Sequence, residues 1–336
     1  MEPPRCVPAR TRYPPRVQTA VDALGPSRSD AVRAPRYATY AWATLAVTLG
    51  VILWGAFVRA TGSGAGCGSH WPLCNGEVVP RSPTAATLIE FGHRLTSGLA
   101  ALLVVGLAAG AWRGFPPGHL VRRSALAALV LMVLEALIGA GLVLLEHVAG
   151  DASIARAWWV SGHLVNTFLL VAALTLTAWG ATHGARPRLS GAGSLGAMLA
   201  AALAAVLVVG VSGAITALGD TLFPAATLAE GEAQTFSDTA HVFVRLRVWH
   251  PLLALAAGVL VMAAAQRATR VRRAPAVSSA ANLVLGLLVL QIGVGVANVS
   301  FLAPVPLQLV HLLLADLLWI ALLVLAATAL AVPSSR

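Results

Sequence analysis

The sequence predicts an all-α integral membrane protein of eight transmembrane helices, arranged as two similar four-helix bundles in a parallel internal repeat. Three observations predict it. The chain of 336 residues is 58% hydrophobic and only 11% charged, a composition of the membrane class. It contains eight apolar runs long enough to cross about 30 Å of hydrocarbon. The runs of the second half repeat the residue pattern of the first, with two histidines in each half.

The spans fall near 38–58, 85–112, 124–146, 155–179, 194–218, 238–264, 280–300 and 305–331. The sixth is interrupted early by Arg245 and Arg247, which can snorkel toward an interface. Ahead of the first span, residues 1–36 are rich in Pro, Arg and Ser and lack an apolar signal-peptide core. They read as a disordered basic cytoplasmic leader, and Cys6 within it as a free thiol. Residues 37–180 and 181–336 are the two four-helix halves.

Every basic residue is arginine. The leader, the even-to-odd loops (Arg113, Arg122, Arg123, Arg186, Arg188, Arg267, Arg270, Arg272, Arg273) and Arg336 hold 17 of the 23. The positive-inside rule therefore puts both termini in the cytoplasm of a cell membrane. The net charge of +10 is explained by topology and anionic lipid, without a nucleic-acid partner.

Four spans per unit is an even number, so the two halves run in the same sense across the membrane. Trp54-Gly55-Ala56-Phe57-Val58 matches Gly210-Val211-Ser212-Gly213-Ala214, and Gly139-Ala140-Gly141 matches Gly293-Val294-Gly295. His93 matches His250, and His163 matches His311. All four lie early in spans that start outside. Two imidazoles at one depth on facing helices can ligate a haem iron from both sides. The alternative, four histidines bonded only to carbonyls or each other, fits the repeat poorly. His70, His119, His147, His183 and His241 fall in loops or at span ends, and most of them read as solvated.

Glu90 stands one helical turn before His93, on the same helical face. An ionisable group within a span is a functional hypothesis by default. Glu90 is a candidate proton acceptor or charge stabiliser, with helix packing as the bland alternative. Its counterpart in the second half is Arg247, and Pro251 follows His250 where Arg94 follows His93, so a kink is expected there. Glu135 reads as a helix-packing acid with a proton-path role as the minority view, and Asp316 as an acceptor that orients His311 at poor spacing. Arg94, Arg245 and Arg247 are candidates for haem propionates, with interface snorkelling equally open for Arg245 and Arg247.

Between the first two spans the chain reads Gly62-Ser63-Gly64-Ala65-Gly66-Cys67-Gly68-Ser69-His70-Trp71-Pro72-Leu73-Cys74. Two cysteines in an outer loop predict a disulfide. A free redox-active pair and a Cys67/His70/Cys74 metal site are alternatives, the latter off any standard zinc spacing.

This loop, followed by Glu90-x-x-His93-Arg94 and the four histidines, resembles the haem A synthase family over all eight spans. The resemblance implies oxidation of a methyl group of haem O to the formyl group of haem A, for terminal cytochrome oxidase. It implies a substrate haem at His93 and His163 and a resident haem b at His250 and His311. It implies haem O as the partner molecule, handed over by haem O synthase, while the electron acceptor, the source of the formyl oxygen and homo-oligomer formation stay open. One departure is plain. Many bacterial members carry a second cysteine pair between spans five and six, and residues 219–237 contain none. Two other functions compete with a haem-modifying oxidase. A dihaem b-type electron carrier would use the histidines without Glu90. A transporter built of parallel repeats would want a polar midplane cavity.

Overall fold

The computed structural model describes residues 28–188 and 191–333. The leader up to residue 27, Cys6 included, lies outside them. Eight helices are long and apolar enough to cross a membrane: α1 (Arg28–Ala60), α2 (Ala85–Gly114), α3 (Leu120–Leu144), α4 (Ile154–His183), α5 (Gly193–Leu222), a sixth span in pieces, α9 (Pro275–Ser300) and α10 (Val305–Ala329). The protein is a multi-pass membrane protein. Helix α1 begins within the segment expected to be an unstructured leader, and its membrane-length portion starts at Pro35.

The sixth span departs from a single rod. A short helix α6 (Leu228–Thr235) precedes α7 (Val242–Arg245), a 3₁₀ turn (Leu246–Val248) and α8 (Trp249–Val271). Pro251 sits in the first turn of α8, where its missing N–H is not needed, and a 3₁₀ turn rather than continuous α-helix precedes it.

Helix α1 packs on α2 and α4, and α3 on α4; in the other half α5 packs on α8, and α9 on α10. Between these groups α4 packs on α10 and α5, and α10 on α1. Helices α4 and α10 are the most buried of the eight. Trp319 of α10 donates its indole N–H to the Phe168 carbonyl of α4 at 2.9 Å, and the two rings meet edge-on at 5.2 Å. The two central helices carry His163 and His311. At the end away from the Cys loop, β1 (Ala185–Pro187) pairs antiparallel with β2 (Ala331–Pro333).

Candidate haem sites and the loops that cover them

Each of the four histidines lies about two helical turns from the end of the bundle that carries the Cys loop. Each also packs against a glycine of the preceding span. A Cβ built on Gly55 would stand 2.9 Å from the His93 ring, on Gly213 2.9 Å from His250, and on Gly295 3.1 Å from His311. The fourth pair, Gly139 and His163, is looser at 3.8 Å. The ring-facing glycines are therefore Gly55 with Gly213 and Gly139 with Gly295, a two-residue shift from the matching read in the sequence. A glycine lets an imidazole lie directly on the neighbouring helix backbone.

His250 and His311 come together, with ring centroids 6.3 Å apart and planes at 84°. At metal–nitrogen bonds of about 2 Å, rings at this separation can reach one ion placed between them. Ser212 Oγ lies 3.0 Å from His250 Nδ1. His311 Nδ1 is buried without a hydrogen-bond partner, and so is His93 Nδ1. His93 and His163 are close enough to interact electrostatically. Two imidazoles facing each other between helices are a donor set that fits a haem iron.

Glu90 is 3% exposed and fully engaged. Its Oε2 accepts the Cys67 backbone N–H at 2.8 Å, and its Oε1 is held by Arg94 at 2.5 Å. Arg94 also donates to the His70 and Leu73 carbonyls, each at 2.7 Å. Glu90 and Arg94 thus grip the Cys loop from α2. The loop is closed by a Cys67–Cys74 disulfide, both residues buried. Both sulfurs are spent in that bond, which excludes the Cys67/His70/Cys74 metal reading. Gly66 touches the α2 backbone so closely that a Cβ would stand 2.4 Å from Ala86, and Thr87 donates to its carbonyl at 2.8 Å.

The second half orders its loop without cysteines. Arg247 Nε stands 2.7 Å from Asp220 Oδ1, and its NH2 donates to the Phe223 carbonyl at 2.9 Å. Thr227 caps α6, and Glu230 accepts from the Ala226 N–H at 2.8 Å. His241 stacks on Phe223 at 4.9 Å. This His is a packing residue rather than a solvated one.

Other expectations fare unevenly. Glu135, read as a packing acid, accepts from Asn166 at 2.5 Å and from Thr167 of α4. Its Oε1 also lies 3.3 Å from His163 Nδ1, within ion-pair distance though not aligned as a hydrogen bond. Asp316 is 1% exposed with neither oxygen hydrogen-bonded, so it does not orient His311. Arg245 is exposed. Arg59, not singled out in the sequence, joins the halves. It donates from α1 to the Ala217 carbonyl and Thr221 of α5, and to Gln308 of α10, at 2.7–2.8 Å. Among the described residues no group of three or more His, Cys, Asp or Glu is arranged to hold a bare metal ion.

Eight spans, two pairs of imidazoles seated on glycines and a clamped disulfide loop define the class: a multi-pass membrane protein that carries paired imidazoles between its helices. The chain belongs to the cytochrome oxidase assembly protein family (COX15-CtaA), whose pattern it matches over residues 38–323. It is 48% identical over 295 residues to a Thermus thermophilus protein named Protoheme IX farnesyltransferase, covering 88% of this chain and 48% of that one. It is 37% identical over 142 residues to a Heme A synthase of Alkalihalophilus pseudofirmus, covering 42% of this chain and 46% of the relative. A Heme A synthase of Geobacillus kaustophilus is 47% identical over 106 residues, 31% of this chain and 33% of the relative. The chain spans about half the length, or less, of these curated relatives.

Proposed function

We propose that this protein is a haem A synthase that oxidises a methyl group of haem O to a formyl group. The observation that carries the reading is the set of four histidines seated on glycines in two pairs, within a family of cytochrome oxidase assembly proteins. The first half (37–180) takes haem O at His93 and His163. The second half (181–336) holds a haem b at His250 and His311, which supplies one-electron chemistry when bound. The Arg distribution supports a place in the cytoplasmic membrane with both termini inside, so that the clamped loops lie on the outer face.

This chain's own residues do three things. The histidine pairs orient the ligands. The Cys loop, pinned by Glu90 and Arg94, covers the first-half site and keeps water from it. Glu90 supplies the negative charge that the oxidation of a methyl carbon calls for, as positive charge develops and protons leave. Propionates need free guanidinium donors. Arg94 spends its NH1 and NH2 on Glu90 and the loop, and Arg247 spends its guanidinium on Asp220, Phe223 and Gln234, so the exposed Arg245 is the better placed of the three candidates. Substrate handed over from a haem O synthase fits an apolar ligand that stays in the membrane.

Farnesyl transfer, the activity named for the Thermus relative, fits this chain poorly. That protein is about twice as long as the matched region. A prenyl diphosphate is held through magnesium and carboxylates, and the acids beside the candidate sites, Glu90 and Glu135, are engaged by neighbouring donors. The dihaem carrier reading gains one observation, since both oxygens of Glu90 are engaged by protein. Pigment analysis decides between the readings. Full-length protein expressed with a supply of haem O should yield extractable haem A. Haem O alone, beside a bound haem b, sinks the oxidase reading and leaves the carrier.

A further inference from the structure

We propose that Glu135 is a positioning residue that makes the first-half iron site electronically different from the second, by placing a carboxylate behind the ligand His163. The inference rests on the reading of His93 and His163 as a haem site. Glu135 of α3 is anchored on two sides by α4: Asn166 donates to Oε2 at 2.5 Å and Thr167 donates to Oε1. Asn166 is itself fixed by a 2.9 Å bond to the Leu131 carbonyl, and Thr167 by one to the His163 carbonyl. The carboxylate so held lies 3.3 Å from His163 Nδ1. Four residues on, Gly139 seats the same ring.

The second half fills the corresponding position with an amide. Gln291 stands four residues before Gly295, which seats His311, but its amide nitrogen lies 3.4 Å from His311 Nε2, whereas Glu135 faces His163 Nδ1; His311 Nδ1 is buried without a hydrogen-bond partner. Gln291 Oε1 is buried without a partner. One position of the repeat thus carries a carboxylate in one half and the amide of the same size in the other. Shape is conserved and charge is not.

An imidazole that gives Nε2 to iron keeps its proton on Nδ1, the nitrogen that faces Glu135. A carboxylate there raises the basicity of the ligand and stabilises the more positive state of the iron. In the second half His311 Nδ1 has no hydrogen-bond partner at all. The first half is thereby biased toward the oxidised state, and the second is left as the easier electron acceptor, a difference that favours electron flow from the first-half iron to the second.

The test uses full-length protein purified with its haems and read by spectroelectrochemistry. Glu135→Gln should keep a low-spin spectrum and raise the midpoint potential of the first-half haem alone. A tenfold loss of preference for the oxidised state reads as about 59 mV for one electron. Gln291→Glu should lower the potential of the second-half haem. Where Glu135→Gln protein fails to retain its first-half haem, the Gln291→Glu shift decides by itself. Potentials unmoved in the variants overturn the role of Glu135. A wild-type spectrum that does not change on His163→Ala overturns the haem reading beneath it, and the proposal with it.

Discussion

Glu90 and Arg247 occupy the same place in the two halves, three residues before His93 and His250, and each reaches up to fasten its own loop. Glu90 accepts the Cys67 N–H at 2.8 Å, while Arg247 donates to the Phe223 carbonyl at 2.9 Å and pairs with Asp220 at 2.7 Å. The shared scaffold thus asks for a loop clamp at this position and accepts either sign of charge. The negative clamp goes with the disulfide loop, and the positive one replaces a disulfide with an ion pair and a capped helix.

Replacing Glu90 with Gln separates clamp from chemistry. The amide oxygen can still accept from Cys67, while Arg94 loses its counter-charge. Haem A formation should fall by roughly two to four orders of magnitude, with the protein inserted and its second-half haem bound. Arg94→Met removes the grip on His70 and Leu73 and should cost less. Equal losses in the two variants would reduce Glu90 to a loop fastener, and near-normal haem A from Glu90→Gln would remove it from the chemistry.

Arg247→Met should loosen the loop over residues 223–241. A hydrogen bond to a charged group is worth about 1.5–3 kcal/mol. Amide hydrogen exchange in this segment should therefore quicken by roughly ten- to a hundredfold, while α9 and α10 exchange as before. Unchanged exchange would mean that Thr227, Glu230 and the His241–Phe223 stack order the loop unaided.

The spans were legible because lipid demands long apolar runs with internally satisfied backbone, and each expected run holds a helix. The four intramembrane histidines were legible for a related reason, since ionisable groups in apolar runs stand out. The partners of those groups were not. Glu135 lies 28 residues before His163, and Gln291 20 residues before His311, and both contacts depend on how adjacent helices rotate against each other. Glutamine at 291 gave no signal by itself; only its alignment with Glu135 through Gly139 and Gly295 makes it visible. Arg59 reads as a span-end arginine until α5 and α10 are packed beside it. The two-residue shift in the glycine matching has the same origin. Residue runs align by type, whereas seats align by the helix face turned to the ring.

Removing the disulfide tests the loop from its other side. Closing a loop of this length constrains the unfolded chain by about 2–3 kcal/mol. Unreduced, denatured wild-type protein should leave Cys67 and Cys74 unlabelled by a thiol reagent. The double change Cys67→Ser and Cys74→Ser should speed proteolysis within residues 61–84, where Arg94, Glu90 and Thr87 would remain as the fastenings. The second-half haem spectrum should be untouched. Loss of that spectrum would show that the loop supports the whole bundle.

The glycine seats give the most direct test of where the ligands bind. An alanine at Gly213 would put a Cβ 2.9 Å from the His250 ring, and one at Gly295 would stand 3.1 Å from His311. Either must push its imidazole aside. Alanine also favours helix over glycine by about 1 kcal/mol, so these variants should fold at least as well as the parent. Gly213→Ala and Gly295→Ala should weaken or abolish the bis-histidine spectrum assigned to the resident haem b, as His250→Ala should outright. Gly55→Ala should disturb the first-half site through His93, also at 2.9 Å, and leave the second-half spectrum intact. Gly139→Ala is the internal control, because its Cβ would rest 3.8 Å from His163, an ordinary contact. A full bis-histidine spectrum in both Gly213→Ala and His250→Ala would move haem b away from the second half. Equal damage from Gly139→Ala and Gly55→Ala would show that the effect comes from the helices and not from the seats.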